Sequence, residues 1–293
     1  MIPQLISIII PVFFGVGCGY LWVRSGQSFD QEFITNLVFN VGTPILIFST
    51  LTRLNVDLNA FAEIAIVTIV ALLIFLIISA LILKIAKLSQ RTYLATIVIP
   101  NTGNIGLPLC FLAFGETGLV FGIIVYTIVT LVQFTFGVSI ASGCVSIGVL
   151  FKNPIIYAVL ISLFVMITEI VVPKWIAGTA LIYGQFAIPL MLISLGASLA
   201  SIKINNFILN LSLSLVRLLM GFGVGIFVCN FFLLDGIARG VILIECSMPA
   251  AVFNYMLAMK YNNDPDRVAA LVITSTLVTF VFLPILMAFV ISL

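Results

Sequence analysis

Ten windows of about 20 predominantly apolar residues follow one another along the chain, at 4–23, 33–52, 61–83, 91–114, 117–142, 154–173, 177–200, 208–234, 237–260 and 266–291. A helix of about 20 apolar residues spans the ~30 Å hydrocarbon core of a bilayer, where every backbone N–H and C=O must find a partner inside the protein. The expected fold is therefore an all-α polytopic membrane protein of ten transmembrane helices, with short connections and no separate soluble domain. Charged residues make up only 8% of the 293, against about a quarter in soluble domains. The net charge of +2 gives no reason to expect nucleic acid as a partner, and lipid is the natural surrounding. With no histidine, imidazole metal ligands, Ser-His-Asp triads and a histidine proton shuttle are all excluded. Cys18, Cys110, Cys144, Cys229 and Cys246 lack CxxC spacing and read as small apolar packing residues. The first apolar run reaches about Val23 without a preceding basic stretch, which predicts a membrane span rather than a cleaved signal.

The fourth window contains Pro100-Asn101-Thr102-Gly103-Asn104-Ile105-Gly106-Leu107-Pro108, which cannot be an ordinary helix interior. Proline removes a backbone donor and glycine gives up helical rigidity, so Pro100, Gly103, Gly106 and Pro108 are expected to break the helix. A break at membrane depth is tolerable only where it is buried in protein or lines a wet cavity, which makes this stretch the expected floor of a binding site. Thr43-Pro44-Ile45-Leu46-Ile47-Phe48-Ser49 is similar to Ile188-Pro189-Leu190-Met191-Leu192-Ile193-Ser194, an offset of 189 − 44 = 145. The same offset sets Asn104 against Pro249, within a second interruption at Ser247-Met248-Pro249-Ala250-Ala251. Two halves are expected, 1–142 and 154–293, joined by a Gly/Ser-rich linker at 143–153. Five spans per half is an odd number, so the second half must enter the membrane inverted. With the N-terminus outside, the inner loops hold Arg24, Lys84, Lys87, Arg91, Lys152, Lys203, Lys260 and Arg267, whereas the outer loops hold only Arg53, Lys174 and Arg239. Positive charge accumulates on cytoplasmic loops, so both termini are expected outside. Arg217 lies within the eighth span.

Each broken helix presents helix ends to the middle of the membrane, N-termini suited to anions and C-termini with unwound carbonyls suited to cations. Asn101, Thr102 and Asn104 on one side, and Ser247, Pro249 and Asn254 on the other, are the expected substrate-binding residues, with Met248 as a further break position. Alternatively, the amides only satisfy backbone groups freed by the breaks. Glu245, the only carboxylate well inside a span, costs about 3 kcal/mol at the helix centre and is a functional candidate by default. It would take up a proton or ligate Na⁺, or else serve as a static partner of Arg217. Arg217 would anchor a substrate anion or neutralise Glu245, or else snorkel to the cytoplasmic surface. Asn40 and Gln133 read as interhelical glue and Glu116 as a solvated cap. Gly15-Val16-Gly17-Cys18-Gly19 and Gly221-Phe222-Gly223-Val224-Gly225 permit close helix packing.

Four stretches together resemble the auxin efflux carrier family of membrane transporters. They are Leu37-Val38-Phe39-Asn40-Val41-Gly42-Thr43-Pro44, Asn101 to Leu109, Pro189 to Leu199, and Met248-Pro249-Ala250-Ala251 with Leu257-Ala258-Met259-Lys260-Tyr261. The resemblance implies a fold similar to the bile acid/sodium symporters: two inverted repeats, helices 1, 2, 6 and 7 as a scaffold, and helices 3–5 and 8–10 as a core whose fourth and ninth members cross at their breaks. It also implies a small organic anion such as a carboxylate as substrate, a plasma (inner) membrane location and a homodimer through the scaffold helices. Arg217 matches the family's basic residue in helix 8, and Glu245 resembles the acid near the sodium sites of the symporters. No long central hydrophilic loop is present, unlike in the plant carriers. The expected function is secondary transport, with Na⁺ or H⁺ as coupling ion and no other cofactor. The competing expectation is a sodium- or proton-coupled cation exchanger with a related crossover fold. An intramembrane enzyme lacks any GxGD or HExxH pattern.

Overall fold

A computed structural model describes residues 2–54, 58–143, 148, 152–201 and 206–292. Cys144, Lys203 and most of the expected linker at 143–153 lie outside the described residues. The chain is an all-α polytopic membrane protein, and the regular structure among the described residues is helical apart from one isolated β-bridge. The helices are α1 (Ile2–Arg24), α2 (Gln31–Leu37), α3 (Thr43–Arg53), α4 (Leu58–Ile85), α5 (Gln90–Val98), α6 (Leu107–Val132) and α7 (Val138–Ser142) in the first part. The second part holds α8 (Pro154–Ile167), α9 (Lys174–Gln185), α10 (Ala187–Ser201), α11 (Phe207–Phe231), α12 (Gly236–Ser247), α13 (Phe253–Lys260) and α14 (Pro265–Ile291). Three π-helical turns, Val38–Gly42, Thr102–Gly106 and Gln133–Gly137, join α2 to α3, precede α6 and join α6 to α7.

Among the described residues seven continuous stretches are long and apolar enough to cross a membrane, where ten spans are expected from the sequence. The difference has three physical sources. α8 has only 14 residues, and α12 and α13 are separated by the second interruption. The third is Thr102–Ser142, a single run of 41 residues although Gly115 inside it departs from helical geometry at φ 62° and ψ −147°. A residue with a side chain rarely adopts that positive φ, so glycine is needed where the chain turns back.

Packing divides the helices into two groups. α1 lies along α10, α3 packs on α8 and α9, and α2 touches α10. In the other group α4 packs on α5, α6 and α11, while α12 packs on α6, α11 and α14. Along α1 the residues Ile2, Ile6, Ile10 and Phe14 are exposed at a helical spacing of four and face lipid; Ile8, Val12 and Val16 are buried on the other side. α5 is buried from Thr92 to Val98 and α12 from Gly240 to Ser247, whereas α14 is largely buried but exposes Leu277, Val281 and Ile285 along one face.

Close approach of α1 and α10 depends on glycine. A Cβ on Gly19 would overlap the carbonyl oxygen of Ile193, and one on Gly196 would overlap that of Val16, whereas Gly17 faces open space. Gly196→Ala should therefore destabilise by about 1–3 kcal/mol through overpacking. Gly17→Ala should leave stability unchanged or slightly raised, because alanine is the better helix former. Thermal unfolding of the two variants in detergent checks the contrast; equal melting temperatures would refute the packing assignment.

Candidate functional site

α5 ends at Val98 and α12 at Ser247, and each is followed by an extended segment carrying a proline, Ile99-Pro100-Asn101 and Met248-Pro249-Ala250. Neither proline has an N–H to donate, and the groups freed beside them pair with each other. The Asn101 N–H donates to the Pro249 carbonyl at 2.8 Å and the Ala251 N–H to the Ile99 carbonyl at 3.1 Å, an antiparallel bridge centred on Pro100 and Ala250. Ser275 on α14 completes the join, its hydroxyl oxygen accepting from the Ala250 N–H at 3.2 Å. The helix ends at Val98 and Ser247 lie 149 positions apart (247 − 98), and the bridge pairs Pro100 with Ala250. Pro100 lies in the first interruption itself and Met248 in the second. Gly103 and Gly106 belong to the π turn that follows, which runs on into α6 past Pro108.

Beside this join lies a cavity of about 700 Å³, within the usual range for a small-molecule site. Asn101, Thr102 and Asn104 line it, together with Thr43, Tyr126, Thr130, Gln133, Ser194 and the start of α13 at Phe253. Its deep lining is buried, whereas Glu32, Met259 and Lys260 at the mouth are exposed. The Asn101 side chain caps the turn after it, its Oδ1 accepting from the Asn104 N–H at 3.3 Å, while its Nδ2 has no hydrogen-bond partner among the described residues. Two helix N-termini face the same space, one beginning at Thr102 and the other at Phe253. Each carries roughly half a positive charge, a setting that favours an anion, although the Asn104 N–H is held by Asn101 Oδ1 and the Asn254 and Tyr255 N–H groups by the Ala251 and Val252 carbonyls.

All three π turns of the described chain border this cavity, through Val38 and Phe39, Thr102 to Asn104, and Gln133 and Phe134. π turns make up well under 1% of residues generally and concentrate at functional sites, because the wider turn leaves backbone groups aimed outward. Phe39, Phe134 and Phe253 form an aromatic wall, with ring centroids 5.5, 6.2 and 5.1 Å apart. Tyr126 lies with its ring against Gly103, where a Cβ would approach to 2.8 Å. Neither Tyr126 nor the aromatic wall was singled out from the sequence, although Phe39 and Phe134 are chain neighbours of the polar residues Asn40 and Gln133. Of those two, Gln133 lines the cavity, whereas Asn40 is exposed and bonds back to the Asn36 carbonyl at 2.9 Å.

The remaining expected site residues do not line the cavity. Ser247, Pro249 and Asn254 are buried behind it, and the Ser247 hydroxyl and Asn254 amide have no hydrogen-bond partner among the described residues. Arg217 is only 1% exposed, with its guanidinium 4.8 Å over the Phe75 ring, so it neither reaches the cavity nor snorkels to a surface. Its nitrogens have no hydrogen-bond partner, and no ion pair joins it to Glu245 among the described residues. Glu245 is fully buried and accepts a weak bond from the Cys110 thiol at 3.6 Å through Oε1, whereas Oε2 is unpartnered. Gly106 and Gly122 hollow out its space: a Cβ on Gly106 would overlap the carboxyl group, and one on Gly122 would sit 3.4 Å from Oε1. Gly106 thus serves as a notch for Glu245 rather than as a break. Among the described residues no three His, Cys, Asp or Glu gather as a metal site.

A family model described as membrane transport protein matches residues 4–144 and 138–287. An uncharacterized transporter from Methanothermobacter thermautotrophicus is 26% identical over 295 residues, covering 96% of this chain and 95% of that protein.

The notch generates a double-variant prediction. Gly106→Ala should cost about 1–3 kcal/mol by displacing the Glu245 carboxyl. In the Glu245→Ala background the same change should cost much less, because the colliding group is gone. Additive losses in thermal unfolding would show that the two side chains do not share this space.

Proposed function

Because the chain belongs to the membrane transport protein family, we propose that it is a secondary transporter carrying a small organic anion, such as a mono- or dicarboxylate, through the cavity beside the two interruptions. It is a transporter rather than an enzyme. The observation that carries the choice of an anion is the meeting of two helix N-termini and the free Asn101 Nδ2 on one cavity. Asn101, Thr102 and Asn104 are the contacts nearest the bound group, with Lys260 at the mouth as the lining residue that draws anions in. Arg217, Ser247, Pro249 and Asn254 support the join from behind.

In this proposal α5 with the stretch up to Gly115 is the fourth crossing, the remainder through α7 is the fifth, and α12 with α13 is the ninth. The ten crossings form two inverted repeats, 1–142 and 154–293, joined by 143–153. The group of α1, α2–α3, α8 and α9–α10 is the scaffold, also the face for a homodimer. The rest is the core, whose crossing helices four and nine move the site between the two sides of a plasma membrane in a bile acid symporter-like fold. Both termini lie outside, which puts the mouth at Glu32 and Lys260 on the cytoplasmic side. Glu245 binds Na⁺ or a proton during the cycle.

Sodium- or proton-coupled cation exchange is the second reading, and the buried Glu245 carboxyl with its unpartnered Oε2 is what favours it. Against it, Glu32 at the mouth is the lone carboxylate lining the cavity among the described residues.

Thermal shift of the purified protein against mono- and dicarboxylates, each with and without Na⁺, separates the two. A carboxylate at 100 times its Kd should stabilise by about 2.7 kcal/mol and raise the melting temperature by several degrees. Asn104→Ala should lose that shift while remaining folded. Glu245→Gln should keep the carboxylate response and lose its dependence on Na⁺ or pH. If Na⁺ or pH alone shifted melting and no carboxylate did, exchange would replace anion transport.

A further inference from the structure

The cavity opens at one face of the protein, and the opposite face carries an ion pair between the two packing groups. Arg53, the last residue of α3, has its guanidinium 2.6 Å from the Glu116 carboxylate. Glu116 directly follows Gly115, where the chain turns back after the segment that leaves the first interruption. α3 packs mainly on α8 and α9 and α6 mainly on α4 and α12, and the two helices also touch each other directly, so the pair lies on a contact between the groups. Glu32 and Arg53 stand at opposite ends of the continuous span Gln31–Arg53, and 21 residues at 1.5 Å each separate them by about 32 Å, the full thickness of a membrane core. The pair therefore stands at the end of the structure away from the mouth, on the far side of the contacts that Phe39 makes with Phe134 and Phe253.

We propose that Arg53 and Glu116 form a latch that closes the far end of the transport path while the mouth at Glu32 and Lys260 is open, and that the latch parts when the site turns to the other side. The inference rests on the transport reading, because a latch between groups that never move would have no task. Both side chains are about two-fifths exposed, 43% and 41%, so water screens the attraction and the pair biases the equilibrium rather than locking it. A bias of that kind suits a device that must open in every cycle. An exposed pair changes the ratio of two states by about two- to fivefold.

The test follows the sidedness of a cysteine and needs no substrate for its main arm. Met256 lines the cavity on α13, part of the moving core, and Met256→Cys serves as reporter in a background with Cys18→Ala and Cys144→Ala; Cys110, Cys229 and Cys246 are buried. Sealed vesicles of each orientation are treated with a membrane-impermeant maleimide. With the latch intact, labelling should come from the mouth side. Arg53→Glu, which sets two carboxylates together, should raise labelling from the far side by about threefold or more, and Arg53→Glu with Glu116→Arg should return it to the parent level. Equal labelling in single and double variants would overturn the latch. Should the charge variants fail to fold, oxidised Arg53→Cys/Glu116→Cys protein gives the same decision: it should label from the mouth side alone, and far-side labelling of the crosslinked form would refute the proposal. Sidedness that responds to a carboxylate panel but not to the latch variants overturns the latch and leaves transport standing. Sidedness that responds to neither removes both.

Discussion

The bridge between Ile99-Pro100-Asn101 and Pro249-Ala250-Ala251 is the contact on which the rest of the structure depends. Two prolines at membrane depth leave freed backbone groups, and hydrocarbon offers them no partner. Pairing the interruptions with each other solves both problems together. It also fixes their mutual geometry, because an antiparallel bridge has one register. Once that register is set, α6 and α13 leave the join with their N-termini beside one cavity, and α5 and α12 end behind it.

The polar groups sort by the same geometry. On the cavity side are the positive ends of two helices, the Asn101 Nδ2 and the Lys260 ammonium at the mouth. Behind the join are the buried Glu245 and Arg217, each on its own side of the end of α12. Glu245 fits against the glycines of α6, and Arg217 lies over Phe75. Because α11 approaches α12 closely at Gly221, where a Cβ would overlap the Cys246 carbonyl oxygen, the Arg217 guanidinium stands near the carbonyl end of that half-helix. A cation there is favourably placed against the negative end of the helix dipole. Its position in the packing explains the residue better than a substrate contact does.

The wall of the cavity was the least legible part. Asn101, Thr102 and Asn104 stood out in the sequence because amides are rare in an apolar run, and all three line the cavity. Tyr126, Phe39, Phe134 and Phe253 did not stand out, since an aromatic in a membrane span is ordinary and nothing local shows which way it points. The π turns were equally hidden. An extra residue in a turn is decided by what packs on it, as at Gly42, where a Cβ would come within 2.8 Å of the Phe186 ring. Glu116 read as a solvated cap because its partner Arg53 is 63 positions away in the sequence (116 − 53).

From the sequence alone came the membrane class, the two interruptions and the polar residues of the first. All three follow from local chemistry: apolar length, proline and glycine geometry, and the cost of an amide in hydrocarbon. Tertiary structure decided that the interruptions meet proline beside proline, that Arg217 stands behind the site, and that Gly106 makes room for Glu245. Those outcomes depend on distances between segments some 150 residues apart (249 − 100 = 149), which only the packing of the helices determines.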